Sequence, residues 1–269
     1  MIRFIGGSLG SGAKRCGVRA VGPAWQVATV EHVRAETASA KTLTVRPARP
    51  FAFRPGQHVE VRPHVRAPAV DGAPFSIASA PELDGVFEIT VQLPGTSGVA
   101  RYLHAEGTGG VIDVRGPFGA DFTWHRAMGG PILLVAGGSG VAPLMSMLRH
   151  RRLTAATMRA TLVYSAASMA DVLFHDELTT MAQGDPAFAF ICTLTRAQPE
   201  HWDGLVGRVD AVLLRRALRR MGAVKYAYVC GPREFAASIA RHLADLGVPA
   251  GAVRVAGDSG PGREVSLRT

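Results

Sequence analysis

Cysteine is scarce in this chain of 269 residues, which contains only Cys16, Cys192 and Cys230. Three cysteines so far apart, with no Cys-x-x-Cys spacing, do not form a disulfide framework. They are also too few for an iron–sulfur cluster held by cysteine alone, which needs four ligands. The histidines show no spacing typical of metal ligands, so we predict no metal site. Because disulfides are rare in the cytoplasm, this cysteine content makes the cytoplasm the expected location.

Long hydrophobic runs are absent as well. No apolar run approaches the roughly 18–20 residues that a membrane span requires, so no membrane association is expected. Residues 1–23 are rich in glycine and contain only a short apolar patch, which is a poor match to a secretory signal. We expect residues 1–23 and 257–269 to be tails, the first of them flexible, on either side of a globular protein.

Acidic residues are outnumbered, with 21 Asp and Glu against 30 Lys and Arg, which gives a net charge of +9. One basic cluster lies on a predicted helix at 210–221 and consists of Arg215, Arg216, Arg219 and Arg220. Two interpretations remain open: a solvated helix face, or a docking surface for an acidic partner protein, since complementary charge steers encounters. No nucleic-acid partner is expected, because the basic residues are not interleaved with aromatics.

The first half of the chain shows short runs of alternating hydrophobicity that are separated by glycine and proline. These runs predict strands at 25–30, 42–45, 58–61, 87–91 and 111–114. A short helix is predicted at 99–106. Many short strands at this spacing are typical of an antiparallel barrel or sandwich, and a small barrel fits the length of the segment. We therefore predict a β-barrel domain at 24–124.

After Pro131 the pattern changes to apolar strands that alternate with helices. Strands are predicted at 132–136, 160–164, 187–193, 225–229 and 253–255. Helices are predicted at 141–151, 169–181, 209–221 and 233–246. Continuous apolar strands that alternate with helices are typical of a doubly wound parallel sheet covered on both faces. We therefore predict an α/β domain at 130–256.

A glycine-rich turn joins the first strand of this second domain to its first helix, and it consists of Gly137, Gly138, Ser139 and Gly140. Glycines let the backbone approach a phosphate group, and Pro143 suits a first helical turn. The dinucleotide fingerprint G-x-G-x-x-G is incomplete, because Pro143 replaces its last glycine. A tight strand-to-helix turn without a ligand is the alternative interpretation. Ligands of such sheets bind at the carboxyl ends of the strands, where Ser165, Arg196 and Cys230 are also predicted.

Six segments carry a family resemblance: RPGQHV at 54–59, FSIAS at 75–79, GVARYL at 98–103, GPFG at 116–119, GGSG at 137–140 and CGP at 230–232. With these segments, over about residues 25–255, the chain resembles the ferredoxin–NADP reductase superfamily of flavin reductases, without an iron–sulfur domain. The resemblance implies FAD, with FMN as the alternative, and NAD(P)H as cofactors. It further implies hydride transfer from NAD(P)H to flavin and electron delivery to an external acceptor, which is an acidic ferredoxin, an oxygenase component or a diffusible oxidant.

The flavin residues implied by the resemblance are Pro74, Phe75, Ser76, Ile77 and Ala78, together with Gly98, Val99 and Ala100 at the helix start. Phe75 would stack on the flavin, and Ser76 would reach its reactive nitrogen as a catalytic residue. The family arginine is replaced by Ala73, and the family tyrosine by Phe75. A family serine is missing after Gly98, and Arg62, Arg66 or Arg101 is the candidate substitute for the lost cation. An ordinary barrel strand is the alternative interpretation of Phe75 and Ser76.

The nicotinamide residues implied by the resemblance are the glycine turn, Pro143, Ser165, Arg196, Cys230, Gly231 and Pro232. Cys230 would lie beside the carbon that carries the hydride and would act as a catalytic residue. Ser165 and Arg196 are candidates for contact with a ribose 2′-phosphate. Because Ala167 stands where relatives that use NADPH often have arginine, NADH and NADPH both remain open.

The resemblance leads to the hypothesis of an NAD(P)H-dependent flavoprotein reductase. Two alternatives remain open because of the departures at Ala73 and Ala100. One is a degenerate reductase fold that acts as a non-catalytic binding or regulatory module. The other is a flavin reductase that uses flavin as a loosely held substrate.

Overall fold

The protein contains two six-stranded sheets that follow one another along the chain. The computed structural model describes residues 23–64, 71–93, 98–155, 157–202 and 204–257. The tails predicted at 1–23 and 257–269 lie outside these ranges except for their innermost residues, and so do Cys16 and Arg66. None of the helices in these ranges is both long enough and apolar enough to cross a membrane.

The first sheet is antiparallel and closes into a barrel, as the sequence predicts. Its elements are β1 (Gln26–Thr37), β2 (Ala40–Pro47), β3 (His58–Pro63), β4 (Ala73–Ser76), β5 (Phe87–Gln92), α1 (Gly98–Ala105) and β6 (Val111–Phe118). The strand order is β4-β3-β6-β1-β2-β5. An antiparallel bridge between Ile77 and Ile89 joins the two edges of this sheet. Residues of β3, β5 and α1 share one buried cluster inside the barrel.

The second sheet is parallel and covered by helices, which confirms the predicted doubly wound architecture. Its elements are β7 (Ile132–Gly137), α2 (Val141–Thr154), β8 (Ala160–Ala166), α3 (His175–Gly184), β9 (Phe188–Leu194), β10 (Leu205–Val206), α4 (Ala211–Met221), β11 (Tyr226–Gly231), α5 (Arg233–Asp245) and β12 (Val253–Gly257). The strand order is β10-β9-β8-β7-β11-β12. All residues of β7 are buried, as expected for a central strand with helices on both faces.

The helix predicted at 169–181 is wrong in its first part. Residues Met169–Asp171 form a separate 3₁₀ turn, and α3 begins only at His175. Ser168 and Asp171 form a capping box around this turn, so a single helical turn forms there and ends at Asp171. Phe174 then adopts a left-handed backbone with φ of 56°, which no helix interior contains. The strand β10 has only two residues, which is too short for a hydrophobic pattern to predict.

The segment between the two sheets packs between them. Trp124 is fully buried, and its indole Nε1 donates a hydrogen bond to Gly129 O at 3.0 Å. The Phe122 ring lies edge-on to Tyr228 of β11, with ring centroids 5.4 Å apart. The Tyr228 hydroxyl donates to Thr123 O at 2.8 Å, and this bond is buried. The connection is therefore fixed to the parallel sheet by aromatic packing and a buried hydrogen bond.

Substitution Tyr228→Phe should destabilise the protein by about 1–3 kcal/mol, because it leaves the buried Thr123 carbonyl without a donor. The expected result is a lower midpoint of thermal or urea unfolding. Tyr226→Phe is the matched control, since Tyr226 lies on the same strand and its hydroxyl makes no hydrogen bond within the described ranges. An equal loss of stability in both variants would contradict the role of the Tyr228–Thr123 bond.

Candidate functional site

The glycine turn lies at the carboxyl end of β7, at the edge of the sheet where ligands of this architecture bind. Gly138 has a left-handed backbone with φ of 54°, and a Cβ atom built on it would meet nothing within 4 Å. Ser139 is exposed, and α2 begins at Val141 directly after the turn. Gly138 and Ser139 of the turn are therefore accessible from solvent at the amino-terminal end of a buried helix, whereas Gly137 and Gly140 are buried.

Gly140 holds the turn against the end of β11. A Cβ atom at this position would lie 2.4 Å from Cys230 O and 2.6 Å from Gly231 N, distances that no side chain tolerates. Glycine is therefore required at position 140 for close packing. The contact brings two predicted motifs, the turn and the Cys-Gly-Pro segment, into direct backbone contact. Phe235 of α5, which sequence reasoning missed, packs beneath Gly137 and Gly231.

Cys230 is the next-to-last residue of the central strand β11, at the topological switch point of the sheet. It pairs with Ala136 on β7 and with Ala256 on β12, and only 9% of it is exposed. From β7 the chain runs through β8 to β10, and it then returns to place β11 on the other side of β7. The crevice at such a point is where open α/β sheets bind ligands. Pro232 is exposed just before α5 begins.

Ser165 and Arg196 lie along the same edge of the sheet. Ser165 pairs with Gly137 on one side and with Thr193 on the other, and it is half-buried. Arg196 is exposed in the loop after β9, where its backbone N–H donates to Ala167 O at 2.9 Å. The structure therefore brings the predicted strand-end residues to one edge. Cys192 lies farther back on β9, where burial raises the pKa of its thiol to about 11.

The predicted flavin residues lie on β4 and the segment after it. Phe75 and Ala73 are half-buried and pack against the barrel cluster that contains Val99 and Ala100 of α1. The strand and the helix start named by the sequence thus contribute to the same barrel core. Pro74 is exposed, whereas Ile77 and Ala78 are fully buried, so the last two offer a ligand no side-chain surface.

His58 lies opposite Ser76 in the register of β3 and β4, a neighbour that sequence reasoning did not identify. Its ring is 5.7 Å from the ring of Phe118, and desolvation by burial lowers the pKa of this imidazole despite the nearby Glu60 carboxylate. At neutral pH the ring beside Ser76 is therefore uncharged. The only signal in the sequence is the position of His58 within the segment at 54–59.

The structure distinguishes among the cations proposed to replace the family arginine. Arg62 donates to Asp113 at 3.0 Å, and its guanidinium lies 4.3 Å from the centre of the Trp25 ring. The Arg62 side chain is therefore held at the barrel surface by Asp113 and Trp25. Arg101 is exposed on the first turn of α1 and takes part in none of the ion pairs found within the described ranges. Of the candidates in those ranges, Arg101 has the side chain that is available to bind a phosphate.

The arginine cluster at 215–220 lies on the exposed face of α4, away from these residues. The apolar side of α4 packs on the cluster that contains Leu133 and Val135, on one face of the parallel sheet. The connecting segment and α2 pack on the opposite face with Leu134 and Ala136. The parallel sheet therefore separates the arginine cluster from the barrel. A docking role for the arginine cluster stays a prediction.

Most of the segment that forms the second sheet matches a known protein family. Residues 134–241 match the family model described as the oxidoreductase NAD-binding domain. Over 238 residues the chain is 32% identical to ferredoxin–NADP reductase B of Sorangium cellulosum, which covers 81% of this chain and 96% of that protein. It is 28% identical to the reductase component of propane 2-monooxygenase from Mycolicibacterium goodii, covering 74% of this chain but only 58% of that protein.

Solved structures share the complete fold. A ferredoxin reductase in carbazole 1,9a-dioxygenase superposes with a TM-score of 0.75 and 21% identity, over 88% of this chain and 70% of that one. A ferredoxin–NADP⁺ reductase from Neisseria gonorrhoeae gives a TM-score of 0.72 with 17% identity, over 87% of this chain and 98% of that one. The shared fold and the match over 96% of the Sorangium protein agree with the family resemblance of the six sequence segments. The chain belongs to the ferredoxin–NADP reductase family and is an oxidoreductase with an NAD-binding domain.

Proposed function

We propose that the protein is an NAD(P)H-dependent flavoprotein reductase that uses FAD, with FMN as the alternative, and delivers electrons to an external acceptor. The observation that carries this proposal is the packing of Gly140 on the Cys230–Gly231 peptide. It joins the turn that would bind the phosphates to the strand end where a nicotinamide ring would lie. The chemistry that the bound cofactors supply is hydride transfer from NAD(P)H to flavin, followed by electron transfer to the acceptor.

Residues 130–256 would bind NAD(P)H. The open space beside Gly138 and the exposed Ser139 fit a pyrophosphate group, which the amides at the start of α2 would hold. Cys230, Gly231 and Pro232 would line the nicotinamide ring, and Ser165 and Arg196 would contact the ribose at the other end. The backbone contact at Gly140 would fix the distance between the phosphate and nicotinamide ends.

Residues 24–124 would bind the flavin. The half-buried ring of Phe75 leaves part of its surface accessible and fits an aromatic stacking partner. The Ser76 hydroxyl would donate a hydrogen bond to the flavin ring, while the uncharged His58 lies opposite in the strand register. Gly98, Val99 and Ala100 would present backbone amides to the flavin phosphates, and Arg101 would supply the positive charge.

The external acceptor would be a ferredoxin or an oxygenase component. Support comes from the relatives, whose names include ferredoxin–NADP reductase and the reductase components of propane and phenol monooxygenases. The chain spans only 54–58% of the length of these monooxygenase reductase components. An acceptor outside the chain agrees with the cysteine pattern, which does not match a cluster with four cysteine ligands.

A reductase that binds flavin loosely, as a substrate, is the second candidate. It is favoured by Ala73 and Ala100, which replace two phosphate-binding side chains of the family motif. An absorbance spectrum of the purified protein, taken before and after addition of FAD and then of NADH or NADPH, separates the candidates. Bound flavin that bleaches on coenzyme addition supports the flavoprotein reductase, and turnover of free flavin alone supports the second candidate. Failure both to bind and to turn over flavin would exclude both and leave a non-catalytic module.

Substitution Gly140→Ala should raise the KM for NAD(P)H about tenfold or more. The added methyl group collides with Cys230 O and forces the turn away from the strand end. Flavin content should not change, because the atoms that the added methyl group meets belong to Cys230 and Gly231 and not to the barrel. Gly184→Ala is the control, since a Cβ atom there meets nothing within 4 Å. An unchanged KM in Gly140→Ala, measured by steady-state kinetics, would argue against coenzyme binding at this turn.

Substitution Arg101→Ala should weaken flavin binding about tenfold or more, because a charge-assisted hydrogen bond contributes about 1.5–3 kcal/mol. The dissociation constant is measured by fluorescence titration of the flavin-free protein. Arg49→Ala provides the control, since Arg49 is also exposed and lies elsewhere on the barrel. Ala73→Arg should tighten binding by restoring the family cation. Equal affinities in Arg101→Ala and Arg49→Ala would exclude Arg101 as the phosphate ligand.

A further inference from the structure

Two side chains of α2 bind the backbone directly after β4 (Ala73–Ser76), which is the strand proposed to bind the flavin and is called the flavin strand below. Ser146 Oγ donates to Ser79 O at 2.6 Å in a buried hydrogen bond. Arg149 Nη1 donates to Ala78 O at 3.0 Å. Both acceptors lie within three residues of Ser76, the last residue of β4. The position of the flavin strand is thus linked to a helix of the other domain.

Arg149 also binds carboxylates from two further elements. Its guanidinium contacts Glu88 of β5 at 2.7 Å and forms a two-point pair with Glu177 of α3, the shorter contact being 2.6 Å. Only 12% of the Arg149 side chain is exposed, and the guanidinium lies 5.2 Å from the centre of the Phe174 ring. Its orientation is therefore fixed from several sides.

Both members of the main ion pair stay charged at neutral pH. Burial alone would lower the pKa of Arg149, but hydrogen bonds and charges from Glu177 and Glu88 raise it above its usual value. Burial alone would raise the pKa of Glu177, but the hydrogen bond and charge of Arg149 lower it. The contact therefore persists throughout the neutral pH range.

His150 adds a third contact from the same helix face. Its Nδ1 lies 2.6 Å from Glu82 Oε1, and its ring packs edge-on against Trp124. Ser146, Arg149 and His150 are spaced at i, i+3 and i+4, which places them on one face of α2. Gly140 of the glycine turn precedes Ser146 by six residues, which is about 9 Å along a helix. One rigid helix therefore connects the turn with the chain that follows β4.

We propose that Arg149 and Ser146 are positioning residues, which hold the flavin strand at a set distance from the glycine turn. This distance determines how closely the two cofactors approach each other. This inference rests on the proposed function. Hydride transfer requires the reacting atoms to be about 3–3.5 Å apart, and a displacement of about 1 Å can slow a reaction about 100-fold. Neither residue touches a cofactor in this role, so both act through the backbone at Ala78 and Ser79.

The first test compares Arg149→Met and Ser146→Ala with Arg152→Met, which removes an exposed arginine of the same helix. Anaerobic single-turnover bleaching of bound flavin by saturating NAD(P)H should slow tenfold or more in Arg149→Met and by a smaller factor in Ser146→Ala. Flavin stoichiometry and the KM for NAD(P)H should stay within about twofold of the wild type. Arg152→Met should match the wild type, and Arg149→Lys should recover part of the rate.

The second test needs no cofactor. In flavin-free protein, Arg149→Met should accelerate amide hydrogen exchange in residues 77–82, while residues 137–140 keep their wild-type exchange. A purely structural role predicts a uniform acceleration instead, and this result would overturn the proposal. If Arg149→Met does not fold, Ser146→Ala carries both measurements, because it removes one hydrogen bond and little volume.

The rate measurement gives a further way to overturn the inference. Wild-type bleaching rates in both variants would show that the contacts do not set the approach of the cofactors, and loss of bound flavin from Ser146→Ala would show a flavin-binding role instead. Failure of the proposed function has a different signature. The wild-type protein would then show no bleaching at all, whereas the exchange measurement would still report whether α2 holds the segment after β4.

Discussion

The hydrogen bonds and ion pairs of the largely buried Arg149 guanidinium are the interactions on which the arrangement of the two sheets depends. A buried charge is costly unless it is paired and hydrogen-bonded, and removal of one partner from such a pair costs about 3–5 kcal/mol. The fold therefore has to bring Glu88 from the barrel, Glu177 from α3 and the Ala78 carbonyl to the same point. Any other docking of the barrel on α2 would remove Glu88 and the Ala78 carbonyl from this guanidinium and leave it only the pair with Glu177 of its own domain.

The two halves of the proposed cofactor site differ in how closely they follow the family motif. The nicotinamide half retains its glycine turn, and the close contact at Gly140 shows why one of these glycines has no substitute. The flavin half retains the stacking position at Phe75 and the hydroxyl of Ser76, but it has lost the cation at position 73. In the proposed site, the groups that would orient a flavin ring are kept, while the phosphates would be held by backbone amides and at most a relocated arginine.

Local patterns in the sequence were enough to predict the barrel, the parallel sheet and the glycine turn, because hydrophobic periodicity and glycine spacing report directly on them. The start of α3 was missed because it depends on a capping box and on the left-handed backbone of Phe174. The Arg149 contacts join residues 61 and 71 positions apart, so no local pattern reveals them. The pairing of His58 with Ser76 is likewise a property of strand register.

The short strand β4 has consequences for the order in which the protein opens. Within the part of the chain that the structure describes, it pairs along its length only with β3, and beyond its end one bridge from Ile77 to Ile89 closes the barrel. Edge elements with few hydrogen bonds open locally at a lower free energy than the core. Among the described strands of the barrel, the one that carries Phe75 and Ser76 thus has the fewest pairs with its own sheet. The chain that follows it is held by a helix of the neighbouring domain through Ala78 and Ser79, so separation of the domains would loosen this end of the strand before the rest of the barrel unfolds.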